Sequence, residues 1–258
     1  MKKVILFWFY KSPLVCKNRL DILRKNNPNV VIYGLYGGEH KDAEKFKKHI
    51  GKYLDDFYIS PFKNSEWKWF NGDLMIVDWY KKRGRNLEWD TIILVQWDML
   101  IFDSISNLFK NLKKDEILLS GLRKVKGLEK KWCWVKKDGK WRKDYLKFLG
   151  FIKKEYGFRG TPLASLFIVV AFPRKFLDKY SKIKKPELGF LEYKVPIYAK
   201  IFGIKFSKNS FYPNWFDKNV ERTLNALTKE IDKRWIIKNL KAKKGKRLFH
   251  PYYKIWKK

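Results

Sequence analysis

An open, mostly parallel α/β sheet, covered by helices on both faces, is the architecture this sequence predicts. Three observations predict it. The apolar runs are short and continuous rather than alternating, which is the pattern of strands buried on both faces. Segments with helical spacing separate those runs through residue 102, an order that places ligands at the carboxyl ends of the strands. Chain breakers mark the junctions, Asn26-Asn27-Pro28 after the first helical segment and Gly37-Gly38 after the second apolar run.

The elements follow in order. Residues 4–10 form the first strand. They follow Met1-Lys2-Lys3 and so imitate a secretory leader, but Lys11 and Pro13 cut the run short and no small-residue cleavage site follows. Residues 14–25 are helical, 30–35 a second strand, and 42–54 helical with Phe46, Ile50 and Leu54 on one face. Residues 56–60 make a brief third strand. One aromatic helix is predicted over 67–83, with Phe70, Leu74, Val77 and Trp79-Tyr80 on a broad face, and then a strongly apolar strand at 91–95. After residue 110 the order loosens. A strand is predicted at 116–119, whereas 123–159 shows no assignable element, holding 14 basic against 4 acidic residues with Trp132, Trp134 and Trp141 among them. A strand at 163–171, a short helix at 173–180, a helix at 191–203 and a strand at 204–207 complete the pattern. With no repeat, linker or clean boundary, residues 1–258 read as one domain: a nucleotide-binding half over 1–110, an acceptor half over 111–232, and a basic aromatic segment over 233–258.

Charge narrows the function classes. The 258 residues carry 59 Lys+Arg against 26 Asp+Glu, a net charge of +33, and yet 45% are apolar, which excludes a disordered chain. Such an excess suits nucleic acid, an anionic membrane surface or phosphate-bearing substrates. The 48 lysines also fit an AT-rich coding sequence. The last 26 residues hold 11 bases and no acid, interleaved with Trp235, Ile236, Phe249, Tyr252, Tyr253 and Trp256. That composition suits either the interface of an anionic inner leaflet or aromatics packed under the sheet with solvated lysines. No run reaches the roughly 18 apolar residues of a membrane span. Cys16 and Cys133 fit no metal or redox spacing and read as reduced thiols of a cytoplasmic protein.

Three features carry chemistry. The strand ending Gln96-Trp97-Asp98 brings a carboxylate out at the ligand edge of the sheet, where it either holds a divalent cation bridging a diphosphate or caps the next turn. Glu192 opens an apolar helix, as a general base toward an acceptor hydroxyl or as a first-turn partner of the helix dipole. His250, one of three histidines, stands between Phe249 and Pro251, as a metal ligand or as a buried hydrogen-bonded ring.

Together these residues resemble the GT-A family of nucleotide-sugar-dependent glycosyltransferases, with their Rossmann-like GT-A fold. In that family a strand runs into an Asp-x-Asp-type motif, a later carboxylate begins a helix over the acceptor site, and a C-terminal His completes a metal shell. Gln96-Trp97-Asp98, Leu191-Glu192-Tyr193 and His250 match these by position, and the resemblance covers nearly the whole chain. It implies Mn²⁺ or Mg²⁺ on Asp98 and His250, and donor contacts from Phe9, Tyr10, Asp73, Gln96 and Trp97. It gives Glu192 the role of base if transfer inverts configuration, and of orienting the acceptor if it retains. Asp73, after Asn71-Gly72, is either a ribose contact or an N-cap. Lys81-Lys82-Arg83-Gly84-Arg85 either approaches the diphosphate or is a solvated helix end. Gln96 departs from the family's pattern, leaving Asp98 as the motif's one carboxylate, and Tyr193 stands where the second member of an acidic pair is usual.

The implied function is transfer of a sugar from a nucleoside-diphosphate donor to a glycan or lipid-linked acceptor, in the cytoplasm or on the inner face of a membrane. A single-stranded nucleic-acid-binding protein is the rival reading, although the chain has no zinc spacing, ribonucleoprotein motif or helix-turn-helix signature. A nucleotidyltransferase would show a Gly-rich loop after the first strand, where this chain has Lys11-Ser12-Pro13-Leu14. A GT-A-like scaffold without activity is the remaining alternative.

Overall fold

The predicted alternation is present in the computed structural model, which describes residues 1–208, 211, 223–226 and 229–257. Parts of the span 209–228, within the predicted acceptor half, and residue 258 lie outside the described residues. The chain runs β1 (Lys3–Phe9), α1 (Pro13–Asn26), β2 (Ile32–Tyr36), α2 (Ala43–Ile50), β3 (Asp56–Ile59), α3 (Ser65–Phe70), α4 (Gly72–Lys82) and β4 (Thr91–Gln96). It continues through β5 (Leu100–Ile101), α5 (Ile105–Leu108), β6 (Glu116–Lys124), α6 (Arg142–Tyr156), β7 (Leu163–Pro173) and α7 (Arg174–Tyr180). The last elements are α8 (Leu191–Ile201), β8 (Lys205–Phe206), α9 (Lys233–Lys241) and β9 (Leu248–Phe249).

Seven strands form one sheet in the order β3-β2-β1-β4-β7-β6-β8, and β7 alone runs against the rest. The chain winds outward from β1 to β3 and then returns to β4 on the other flank of β1. The β1/β4 junction is therefore the switch point where a crevice opens beyond the strand ends. Alternation along β1 divides its side chains between the two helical layers. Phe9 packs on Tyr36, Phe57 and the α2 ring of Phe46, at centroid distances of 5.5, 5.5 and 5.7 Å. Trp8 faces the other way and lies so close over Gly72 of α4 that a Cβ there would come within 2.5 Å of the indole.

That contact bears on the first departure from the sequence expectation. The single aromatic helix predicted over 67–83 is two helices, broken at Asn71 (φ −120°, ψ 35°), and the second starts at the glycine that admits Trp8. A second departure is α6, in the basic stretch to which no element was assigned. Tyr145, Phe148 and Ile152 are buried along one face and Gly157 ends the helix at φ 62°. The lysines on its outer face mask that spacing in the composition.

The C-terminal segment bears on the two alternatives for its aromatics. β9 pairs antiparallel with β5, and Leu100, Ile231, Ile236, Phe249, Tyr252 and Trp256 close a second small core. The buried Arg19 guanidinium of α1 donates to the carbonyls of Tyr252 (2.6 Å) and Lys254 (2.8 Å). Phe249, Tyr252 and Trp256 are thus packed inside and most of the cations are left outside, as in the alternative of packed aromatics with solvated lysines. Among the described residues, no helix is long and apolar enough to cross a membrane.

Candidate functional site

A cleft of about 290 Å³ opens at the β1/β4 switch point. Trp8 from β1 and the following Tyr10 form one wall, Gly37-Gly38-Glu39 after β2 a second, Lys68 and Trp69 of α3 a third, and Gln96 of β4 stands beside them. Of the predicted donor contacts, Tyr10 and Gln96 are here. Phe9 is not, because the two-residue period of a strand turns its ring into the α2 core and presents Trp8 instead. Trp97 is also displaced from the wall, buried between Tyr10 and Tyr253 at centroid distances of 5.8 Å from each.

Asp73 fulfils neither predicted role. Its carboxylate is 1% exposed, bonded to Lys194 of α8 at 3.0 Å and to the Tyr180 hydroxyl at 2.5 Å, so it is neither a ribose contact nor a cap. Lys81-Lys82-Arg83-Gly84-Arg85 sits at the far end of α4. Met75 of the same helix lines the cleft, and Lys81 follows about 9 Å further along the axis.

Asp98 and His250, 152 positions apart, are brought together by the β5/β9 pairing, with Asp98 Oδ1 3.5 Å from His250 Nε2. His250 Nδ1 lies 3.0 Å from the carbonyl of Asn225. A carbonyl can only accept, so Nδ1 carries a proton, and Nε2 is the nitrogen that faces the carboxylate. Asp98 Oδ1 is buried and has no hydrogen-bond donor. Two lone pairs facing each other in a buried site need a cation between them or a proton on the ring. This donor set fits a divalent ion. Among the described residues no three His, Cys, Asp or Glu side chains gather, so other positions would fall to phosphate oxygens and water. The pair adjoins the cleft through Tyr10, whose phenol pKa is raised by burial and by the charge of Asp98.

Gln96 and Glu192 meet on one residue of β7. The ladder between β4 and β7 ends at Leu94 and Val170. Beyond it the Gln96 amide donates to the carbonyls of Phe167 (3.0 Å) and Ile168 (3.4 Å), while Phe167 N–H donates to Glu192 Oε1 at 3.0 Å. Position 96 therefore requires a donor, which an aspartate is not. Burial pushes the Glu192 carboxyl up to about 7, and the Phe167 hydrogen bond opposes that rise. Gln96→Asp is expected to lower thermal stability, since a carboxylate against two carbonyls costs about 1–3 kcal/mol. A thermal melt of the two proteins checks this.

Sequence reasoning missed Trp8, Lys11, Glu39, Lys68 and Trp69 in the cleft. The strand period could have found Trp8; nothing local marks Lys68. It also missed that the tryptophans of the basic stretch wall the space between α3 and α8. Trp134 stacks on Phe190 at 3.8 Å, two residues before Glu192, and touches Trp69 and Trp141 at 5.4 and 5.1 Å.

No family model matches the chain, and no curated protein matches it by sequence. Solved structures do resemble it. The bifunctional glycosyltransferase WbbM, in its apo form, aligns at 11% identity and a TM-score of 0.43, over 96% of this chain and 45% of that one. This chain therefore spans less than half of that enzyme. The galactosyltransferase LgtC, in complex with donor and acceptor sugar analogues, aligns at 10% identity and 0.42, over 79% of this chain and 72% of that one. Mouse xyloside xylosyltransferase 1, also apo, aligns at 14% and 0.34, over 80% and 77%.

Proposed function

We propose that this protein transfers a sugar from a nucleoside-diphosphate donor, bound in the β1/β4 cleft, to a hydroxyl of a glycan or lipid-linked acceptor. The observation that carries the reading is the buried Asp98–His250 pair beside an aromatic, cationic cleft at the switch point. Trp8 and Tyr10 supply flat faces for a base, and Glu39 an acceptor for ribose hydroxyls. Asp98 and His250 would hold Mn²⁺ or Mg²⁺, which when bound offsets the negative charge that develops on the departing diphosphate. His250 is oriented for this by the Asn225 carbonyl, and Asp98 is held by its own carbonyl accepting from Tyr252 N–H at 2.8 Å.

Glu192 takes the proton of the acceptor hydroxyl. A carboxyl with a pKa of about 7 is divided between its two forms near neutrality, where a general base is most effective. The cations left on the outside of α9 favour an anionic acceptor surface at the inner face of a membrane, by charge alone.

The test is turnover of a panel of UDP-, GDP- and dTDP-sugars with and without Mn²⁺, in the unaltered protein and in Asp98→Ala. One donor is expected to be hydrolysed or transferred in a metal-dependent way, and the substitution to slow it by about a hundredfold or more, as loss of a main electrostatic stabiliser does. Absence of turnover and binding with every donor would overturn the reading. Unchanged activity in Asp98→Ala would remove the role given to that residue.

A further inference from the structure

The cleft contains a cation that the chemistry above does not use. Lys68, in the middle of α3, is only 8% exposed and lines the cleft beside Trp8, Trp69 and Met75. Among the described residues its ammonium has no hydrogen bond or ion pair, and its neighbours in the wall are largely apolar. The stem of Lys68 is buried, while its ammonium is not among the fully buried polar atoms that lack a partner, so the charge stays open to the cleft and can meet a counter-charge from outside the chain. Low polarity around the ammonium also strengthens its attraction for an anion that enters. Lys11 adds a second cation to the same cleft, and the one acid in its wall, Glu39, is exposed and follows the Gly37-Gly38 turn.

We propose that Lys68 Nζ anchors the diphosphate of the bound nucleotide. This inference rests on the cleft being a nucleotide site. It gives the phosphates a direct protein contact from α3. The basic run at residues 81–85, the sequence's own candidate for that role, stands at the other end of α4.

Titration calorimetry with UDP, GDP, dTDP, their nucleosides and inorganic pyrophosphate tests this in the unaltered protein, Lys68→Met and Lys68→Arg. The diphosphate that binds is expected to lose about tenfold or more in affinity in Lys68→Met, the effect of one charge-assisted hydrogen bond. Nucleoside affinity is expected to stay the same, and Lys68→Arg to recover most of the loss. In the absence of ligand, Lys68→Met is expected to melt close to the unaltered protein, because Met keeps the buried stem and no hydrogen bond or ion pair among the described residues is lost; this confirms that the variant folds. Equal losses for nucleoside and nucleoside diphosphate, or no loss for either, would overturn the proposal, as would an unaltered protein that binds neither nucleotide nor pyrophosphate. Pyrophosphate binding that depends on Lys68, with no nucleotide bound, would uphold the anion site and overturn the nucleotide reading.

Discussion

Glu192→Gln is expected to slow sugar transfer by about 10²–10⁴-fold, the range that a positioned general base contributes. The amide keeps the shape of the side chain and still accepts from Phe167 N–H, so the helix start and the wall beside it should persist, and the loss should fall on kcat rather than on donor KM. The pH profile gives an independent check. With its pKa near 7, Glu192 becomes competent as a base as pH rises, so the rate of the unaltered protein should climb through about pH 7 and this limb should vanish in Glu192→Gln. Stability should move in the opposite direction. A carboxyl whose pKa is raised from 4.5 to about 7 on folding binds more protons folded than unfolded, so its burial is tolerated at low pH and becomes increasingly unfavourable as pH rises between those values. Denaturation midpoints of the two proteins should therefore converge below about pH 4.5 and separate toward pH 7, with the glutamine variant the more stable. A rate profile unchanged by the substitution would exclude Glu192 as the base.

Lys194→Met is expected to lower stability by about 3–5 kcal/mol, the cost of leaving one member of a buried ion pair without its partner. Lys194 and Asp73 are 0% and 1% exposed at 3.0 Å, and Lys194 also donates to the Pro186 carbonyl at 2.8 Å. The pair ties α4, whose first residue supports Trp8, to α8, which carries Glu192. Removing both charges together, as Asp73→Asn with Lys194→Met, should recover part of the loss, since no unpaired charge is left buried and the amide oxygen can still accept from the Tyr180 hydroxyl. Urea denaturation of the single and double variants measures the coupling. A double variant no more stable than Lys194→Met would show that the packing of these side chains, and not their charges, holds the helices together.

Much of the fold is legible in local pattern. Strand β4 is a continuous apolar run, and α1 begins at a Ser12 cap followed by Pro13. These are properties of neighbouring residues and need no knowledge of the rest of the chain. Helix α6 was legible too, from Tyr145, Phe148, Ile152 and Gly157, but the surrounding lysines drew attention to charge instead of spacing.

The site divides along the same line. From sequence alone, the emergence of Gln96-Trp97-Asp98 at a strand end and the place of Glu192 in a helical first turn are determined, because each depends on one element. Only the tertiary structure decides that Trp8 rather than Phe9 faces the cleft, that Asp73 is taken up by Lys194, and that Lys68 is buried without a partner. It alone brings His250 to Asp98, through a two-residue strand pair closing a loop of about 150 residues. Periodicity records which side of an element is apolar. Which distant group lies opposite is set by packing across the sheet, and there the sequence carries no local signal.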